Sequence, residues 1–255
     1  MNFTKAIQDY LTSNNLIRFT PRAALIDMDG TLYDSMPGHA RAWQQMMAEI
    51  GVAIDYDEMF LHEGRTGAAT IDLLMRRAFG RPASDEEMRD LYRRKTEIFA
   101  AMPPVSPMPG AAEMLNFFRM AEIKCVLVTG SGQSSLLNRL DTDFPGIFDR
   151  DMRVTSRDVV NGKPHPEPFI RAMEKAGTKS YESIVVENAP LGVEAGHRSG
   201  AFTIGVTTGP VPAEALREAG ADVVFGSMTE CAAELPLLVY GFITTMHNYN
   251  CCGSE

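Results

Sequence analysis

AALIDMDGT, residues 23–31, is a short apolar run that stops on two aspartates and a glycine. Four runs of the same make follow: KCVLVTG (124–130), SIVVENAP (183–190), FTIGVTTG (202–209) and ADVVFG (221–226). Each is brief, rich in β-branched residues and closed by Gly, Asp or Pro. Continuous apolar runs of this length are expected of strands buried on both faces of a parallel sheet. Helical patterns separate them: SSLLNRL after the second run, PEPFIRAMEKAG before the third, PLGVEAGHRSG after it, then VPAEALREAG and MTECAAELPLLVYGF. Strand alternating with helix predicts an α/β fold with a doubly wound parallel sheet. Ligands of such sheets bind beyond the carboxyl ends of the strands, where these polar run ends point.

Residues 36–106 interrupt the alternation. They read as helices in PGHARAWQQMMAEIG, DYDEMFLHEG, TGAATIDLLMRRAFG and SDEEMRDLYRRKTEIFAAM. Ser84 with Glu87 has the spacing of a capping box. Pro37, Pro103, Pro104, Pro107 and Pro109 suit stiff connections at the two ends. The organisation expected is a helical extension over 1–22, a core over 23–35 and 107–242, a small α-helical domain over 36–106, and a disordered tail over 243–255. The extension reads as one amphipathic helix with Phe3, Ile7, Tyr10 and Leu11 on a face.

The 255 residues carry a formal net charge of −9, and the densest basic cluster is only Arg93, Arg94 and Lys95. That balance argues against nucleic acid or an anionic membrane as partner. No run of about 18 apolar residues and no signal-peptide core is present. Of the four cysteines, Cys125 sits in an apolar run and Cys251 and Cys252 in a polar tail. With no zinc or disulfide spacing, a reducing, cytoplasmic location is expected.

The chemistry gathers at the run ends. Asp27 and Asp29, at i and i+2 on extended backbone, point the same way. Two carboxylates this close call for a cation, and hard oxygen ligands suit Mg²⁺. Thr129, followed by Gly130 and Ser131 before a helix, offers a hydroxyl and backbone amides to an anion. Lys163, in GKPHPEPF, could neutralise phosphoryl oxygens. Glu187 and Asn188 put further oxygens at a strand end. Each feature has a plainer reading: a strand-end aspartate turn, a Thr-Gly-Ser turn, an exposed loop lysine, a helix N-cap by Asn188.

Taken together, DMDGT, VTGS, GKPHPEPF and VVENAPLGVEAG resemble the haloacid dehalogenase superfamily over about 22–235, and the helical insertion is similar to that family's cap. Within it, the chain is similar to β-phosphoglucomutase-like proteins. The resemblance implies that Asp27 is the nucleophile that forms an aspartyl-phosphate and Asp29 the acid/base. Thr129 and Lys163 would bind phosphoryl oxygens, with Gly130 and Ser131 beside them. Mg²⁺ would be held by Asp27, Asp29 and Asn188, with Glu187 alongside. His39 matches a cap-hinge histidine of the mutase; Lys95 and Gln133 match substrate-facing positions. A small phosphorylated substrate and a monomer are expected.

Two departures from the family pattern bear on the substrate. The fourth motif reads Glu187-Asn188 where the mutase has Glu-Asp. The cap arginine that holds a second sugar phosphate aligns with Gly67, and Arg65, two residues away, cannot be assumed to replace it. Glu63 stands where a basic residue is usual. These changes suggest that Glu63 reaches the Mg²⁺ and shrinks the cavity, which favours inorganic pyrophosphate. HEGRTGA with ENAPLGVEAG is similar to a pyrophosphatase branch of the subfamily. A solvated Glu63 is the plain alternative. The competing activities are β-phosphoglucomutase, a sugar-phosphate phosphatase, or a non-catalytic binding module.

Overall fold

The computed structural model describes residues 2–131 and 134–251. In chain order the elements are α1 (Thr4–Ser13), β1 (Ala23–Ile26), α2 (Met36–Glu49), α3 (Glu58–Leu61), α4 (Gly67–Phe79), α5 (Asp85–Ala100), α6 (Ala111–Met120) and β2 (Lys124–Val128). Then come α7 (Ser134–Asp143), β3 (Arg153–Val154), α8 (Glu167–Ala176), β4 (Ser183–Glu187), α9 (Pro190–Arg198), β5 (Phe202–Val206), α10 (Ala213–Glu218), β6 (Val223–Phe225) and α11 (Met228–Cys251).

The six strands form one parallel sheet in the order β3-β2-β1-β4-β5-β6. β1 is fully buried because helices cover both faces, which is why its side chains are all apolar. Its neighbours β2 and β4 pair with it in register, Ile26 opposite both Leu127 and Val186. The chain crosses to opposite sides of β1 at this point, so a crevice opens beyond the strand ends. Asp27, Thr129 and Asn188 each stand just past their strands there.

The inserted helices form a separate lobe in which α2 packs on α5. Ser84 and Glu87 make the expected capping box at the start of α5. The two links to the core run side by side: Asp34 N–H donates to Ser106 O (3.0 Å) and Met108 N–H to Leu32 O (2.8 Å).

Several expectations need correction. β3 is a two-residue strand, too short for any apolar period to mark it. α6 has no counterpart among the helical patterns quoted above, although Ala111, Met114, Leu115 and Phe118 make a buried stripe at helical spacing. Lys163 sits on the loop between β3 and α8, not at a strand end. The tail expected over 243–255 is helical as far as Cys251; Phe242 and Thr245 are buried and draw the helix onward. Residues 252–255 lie outside the described residues.

The N-terminal helix is part of the core. Ile7, Tyr10 and Leu11 are buried, with Phe3 beside them. Tyr10 packs edge-on against Phe19 and Phe202, and its hydroxyl donates to Gly200 O (2.7 Å). Among the described residues no helix is long and apolar enough to cross a membrane.

Candidate active site

Asp27, released from the sheet at the end of β1, is 4% exposed. Its Oδ1 lies 2.5 Å from Lys163 Nζ. The same ammonium lies 2.5 Å from Glu187 Oε1 and donates to Val128 O at 3.1 Å. Lys163 is therefore no exposed loop lysine: it is buried, with its ammonium over the Phe169 ring. Burial alone would lower its pKa, but the two carboxylates outweigh that and hold it above its ordinary value. Burial pushes Asp27 up to about 8; Lys163 opposes the rise, and Glu187 and Asp29 add to it.

Asp29 lies on the turn after β1 and lines the same cavity as Asp27. Its Oδ1 accepts from Ser35 Oγ (2.7 Å) and lies 2.9 Å from His39 Nε2. His39 Nδ1 is in turn 2.8 Å from Lys95 Nζ. The His39 ring stacks on Phe99 at 4.0 Å, and Lys95 lies over the Trp43 and Phe99 rings. Burial pushes Lys95 down to about 8, which leaves it charged at neutral pH. Burial, then Lys95, lower the pKa of His39, so the ring is neutral. With Lys95 donating to Nδ1, the remaining proton sits on Nε2 and is directed at Asp29. Burial would raise Asp29, yet His39, Ser35 and Lys95 together hold it below the usual carboxylate range.

Thr129 follows β2; its hydroxyl accepts from the Ser131 N–H (2.9 Å) and lies 3.4 Å from Asp29 Oδ2. Asn188 follows β4 and does not cap α9; Ala189 holds that position. The Asn188 amide instead spans core and cap. Its Oδ1 accepts from Thr31 Oγ1 (3.0 Å), and its Nδ2 donates to Glu63 Oε1 (2.9 Å). Glu63 is 7% exposed, which removes the reading of a solvated cap residue. Burial, with Asp27 next in weight, raises its pKa well above the ordinary value.

The cap rests on the core through glycines. Gly30 has φ +76°, and a Cβ there would lie 2.1 Å from Asn188 Nδ2 and 2.6 Å from Glu63 Oε1. A side chain at Gly130 would strike Gly64 O at 2.6 Å, and one at Gly162 would strike Thr66 Cγ2 at 2.8 Å. Between the lobes remains a cavity of about 70 Å³, lined by Asp27, Asp29, His39, Glu63, Arg65 and Lys95 among others. Thr129, Gly130 and Ser131 line it too. Gln133 lies outside the described residues. Arg65 Nε is buried without a hydrogen-bond partner.

A hard divalent cation fits this donor set. Asp27 Oδ2 is buried with no hydrogen-bond partner, and Glu63, Glu187 and Asn188 add oxygens around it. Among the described residues no group of three His, Cys, Asp or Glu is arranged to hold a metal. A site here would therefore draw on the Asn188 amide and the Asp29 carbonyl as well.

Residues 21–200 match the haloacid dehalogenase-like hydrolase family; Asp27, Asp29 and Thr129 line the cavity, and Lys163 and Asn188 touch its walls through Asp27 and Glu63. The chain belongs to that family. It is 30% identical to hexitol phosphatase A of Escherichia coli K12, covering 81% of this chain and 91% of that protein. It is 29% identical to 2-deoxyglucose-6-phosphate phosphatase 1 of Saccharomyces cerevisiae, covering 84% and 91%. A β-phosphoglucomutase-like protein from Bacteroides vulgatus superimposes with TM-score 0.91 at 42% identity, over 94% of this chain and 98% of that one.

The sequence reading of this hydrolase missed Ser35, Thr31, Phe99 and Tyr92. Thr31 ends DMDGT and Ser35 lies four residues beyond it, so a search for hydroxyls in and just after that motif would have found them. Tyr92 carried no signal. Its ring covers Gly67 so closely that a Cβ there would lie 2.1 Å from Tyr92 Cε2. Trp43 is buried and forms part of the cavity wall.

Proposed function

We propose that this hydrolase is a Mg²⁺-dependent phosphatase acting through an aspartyl-phosphate on Asp27, with inorganic pyrophosphate as preferred substrate. Mg²⁺ would be held by Asp27, the Asp29 carbonyl, Asn188 and Glu63, with Glu187 beside them; when bound it neutralises phosphoryl charge. Asp27 attacks phosphorus as the bond to the leaving oxygen breaks. Lys163 and Thr129 hold the equatorial oxygens. Asp29 then takes a proton from the water that attacks phosphorus and frees Asp27. The shut cap keeps bulk water out.

The observation that carries the substrate is the cap carboxylate of Glu63 lying on Asn188 inside the site. It fills the space where a longer ligand would extend. Tyr92 over Gly67 supports the same reading, because it leaves no room for an arginine that would grip a distal sugar phosphate. So does the lowered Asp29 pKa. A sugar alkoxide must be protonated as it leaves, whereas phosphate leaves readily with Asp29 ionised. The names of the relatives favour a sugar phosphate as the second reading.

Phosphate release with Mg²⁺ is to be measured on pyrophosphate, on a panel of hexose and hexitol phosphates, and beside a β-glucose-1-phosphate isomerisation assay. Pyrophosphate is expected to lead in kcat/KM by at least tenfold. A sugar phosphate leading by that margin would keep Asp27 and overturn the role given to Glu63. Asp27→Asn should abolish turnover in either case.

A further inference from the structure

Glu63 hangs on a short piece of cap that has its own anchor. Three residues earlier, on the single turn of α3, Phe60 is only 4% exposed although it lies at the lower edge of the cap. What buries it is partly Tyr56, whose ring meets it edge-on at 5.4 Å, and partly the core. The core surface is Gly209, on the loop after β5. A Cβ at Gly209 would lie 3.2 Å from Phe60 Cδ1 and 3.5 Å from Cε1, so the ring rests against bare backbone. The loop is tied to the site: Thr208 Oγ1 donates to Gly30 O at 2.6 Å. Gly30 is the turn on which Asn188 and Glu63 meet. Phe60 also walls a crevice of about 280 Å³ that runs past Asp34 and Thr208 to Gly30 and Asn188.

We infer that Phe60 is a positioning residue: docked on Gly209, it latches the cap shut and sets Glu63 against Asn188. Burying the Glu63 carboxylate opposes closure, since the group loses its water. An apolar contact three residues away, on the helical turn that leads into Glu63, offsets that loss and fixes the height at which Glu63 enters the site. This rests on the reading above only in that Glu63 works with the cap shut; it does not depend on which phosphate compound is cleaved.

Gly209 allows the latch to be probed without altering the cap. Its φ lies outside the left-handed region, so Gly209→Ala and Gly209→Val add bulk under Phe60 without forcing a Cβ into that conformation. The chain's single tryptophan, Trp43, lies in the cavity wall at 8% exposure and reports opening. Acrylamide quenching of Trp43 needs no substrate. We expect Gly209→Val to raise the quenching constant at least twofold. It should raise KM at least tenfold with kcat within threefold, because substrate must now close a cap that is mostly open. Gly209→Ala should lie between. Phe60→Leu placed on Gly209→Val should recover part of both changes, a coupling a merely structural defect would not produce. Far-UV circular dichroism confirms that each variant is folded.

Unchanged quenching and KM in folded Gly209→Val would overturn the latch, as would strictly additive effects of the two substitutions. A change in quenching with coupling, in an enzyme that prefers a sugar phosphate, would keep the latch and remove only the pyrophosphate reading.

Discussion

Replacing Glu63 by Gln should make the metal-free protein more stable and the metal-loaded enzyme far less active. The side chain is nearly isosteric, and its amide oxygen can still accept from Asn188 Nδ2, now 2.9 Å from Glu63 Oε1. What changes is charge. Glu63 is buried beside Asp27, Glu187 and Asp29, and its pKa is raised well above 4.5. A raised carboxyl means the folded state holds a proton that the unfolded state has released. Its favourable contribution is complete below about pH 4.5 and is lost as pH rises toward the folded pKa. In EDTA, Glu63→Gln should therefore gain on the wild type as pH rises from 5 to 7, by a few kcal/mol at most. With Mg²⁺ the order reverses. At a hundred times its Kd a ligand stabilises by about 2.7 kcal/mol, several degrees in Tm for a chain of this size. The variant should lose most of that shift and on the order of 10²-fold in kcat/KM. Urea denaturation in EDTA at pH 5, 6 and 7, thermal scans with and without Mg²⁺, and phosphate release make the assay. A variant less stable than wild type in EDTA, with turnover near normal, refutes the reasoning.

Three further outcomes follow from the same geometry. Lys163→Met leaves Asp27 and Glu187 buried without their 2.5 Å partner and should cost about 3–5 kcal/mol in urea denaturation, along with turnover; a change under about 1 kcal/mol would mean that the carboxylates relax into water. Gly192→Ala puts a Cβ 2.0 Å from the Glu187 carboxyl, so that group must move, at about 1–3 kcal/mol and with loss of activity; a crystal structure with Glu187 unmoved would contradict this. Far from the site, burial pushes Asp222 up from 3.8 to about 7, so the wild type should lose stability as pH rises through that window, up to about 4 kcal/mol. Asp222→Asn, which can still accept from Thr203 N–H, should flatten that slope in pH-dependent denaturation; an unchanged slope would place its source elsewhere.

The parts of this fold legible in the sequence are those in which one local rule acts alone. β1, β4 and β5 are buried on both faces, so each declares itself as an apolar run ending in polar residues. The Ser84 capping box is a local pairing and could be read as such. β3 has two residues and no pattern to read, and its place at the sheet edge is set by pairing with Leu127 and Val128. Lys163 could be named from GKPHPEPF, but its burial depends on a loop folding back under β2, which no local spacing records. The cap is least legible for the same reason. That Glu63 touches Asn188, 125 positions away, follows from how two lobes close. Tyr92 and Phe60 lean on glycines opposite them, Gly67 and Gly209, and a glycine in sequence does not say what leans on it.

The pairing of Glu63 with Asn188 carries a consequence for how the lobes and a cation act on one another. Were an aspartate to replace Asn188, the core alone would gather four carboxylates, that one with Asp27, Asp29 and Glu187, around one ammonium. A cation would then have its full charge complement with the cap open. With asparagine there, the core is one carboxylate poorer, and the missing charge arrives only when the cap descends. Closure without a cation drives a buried carboxylate toward Asp27 and Glu187, and the raised pKa of Glu63 is the sign of that opposition. Closure with a cation turns the same contact from repulsive to attractive. Linkage then requires the reverse as well: whatever shuts the cap must tighten the cation by the same factor. An apolar contact such as Phe60 on Gly209, which is indifferent to charge, sets the balance point between the two states. The half-saturating Mg²⁺ concentration should therefore rise when Gly209 is enlarged, although that residue touches no oxygen that could bind the metal.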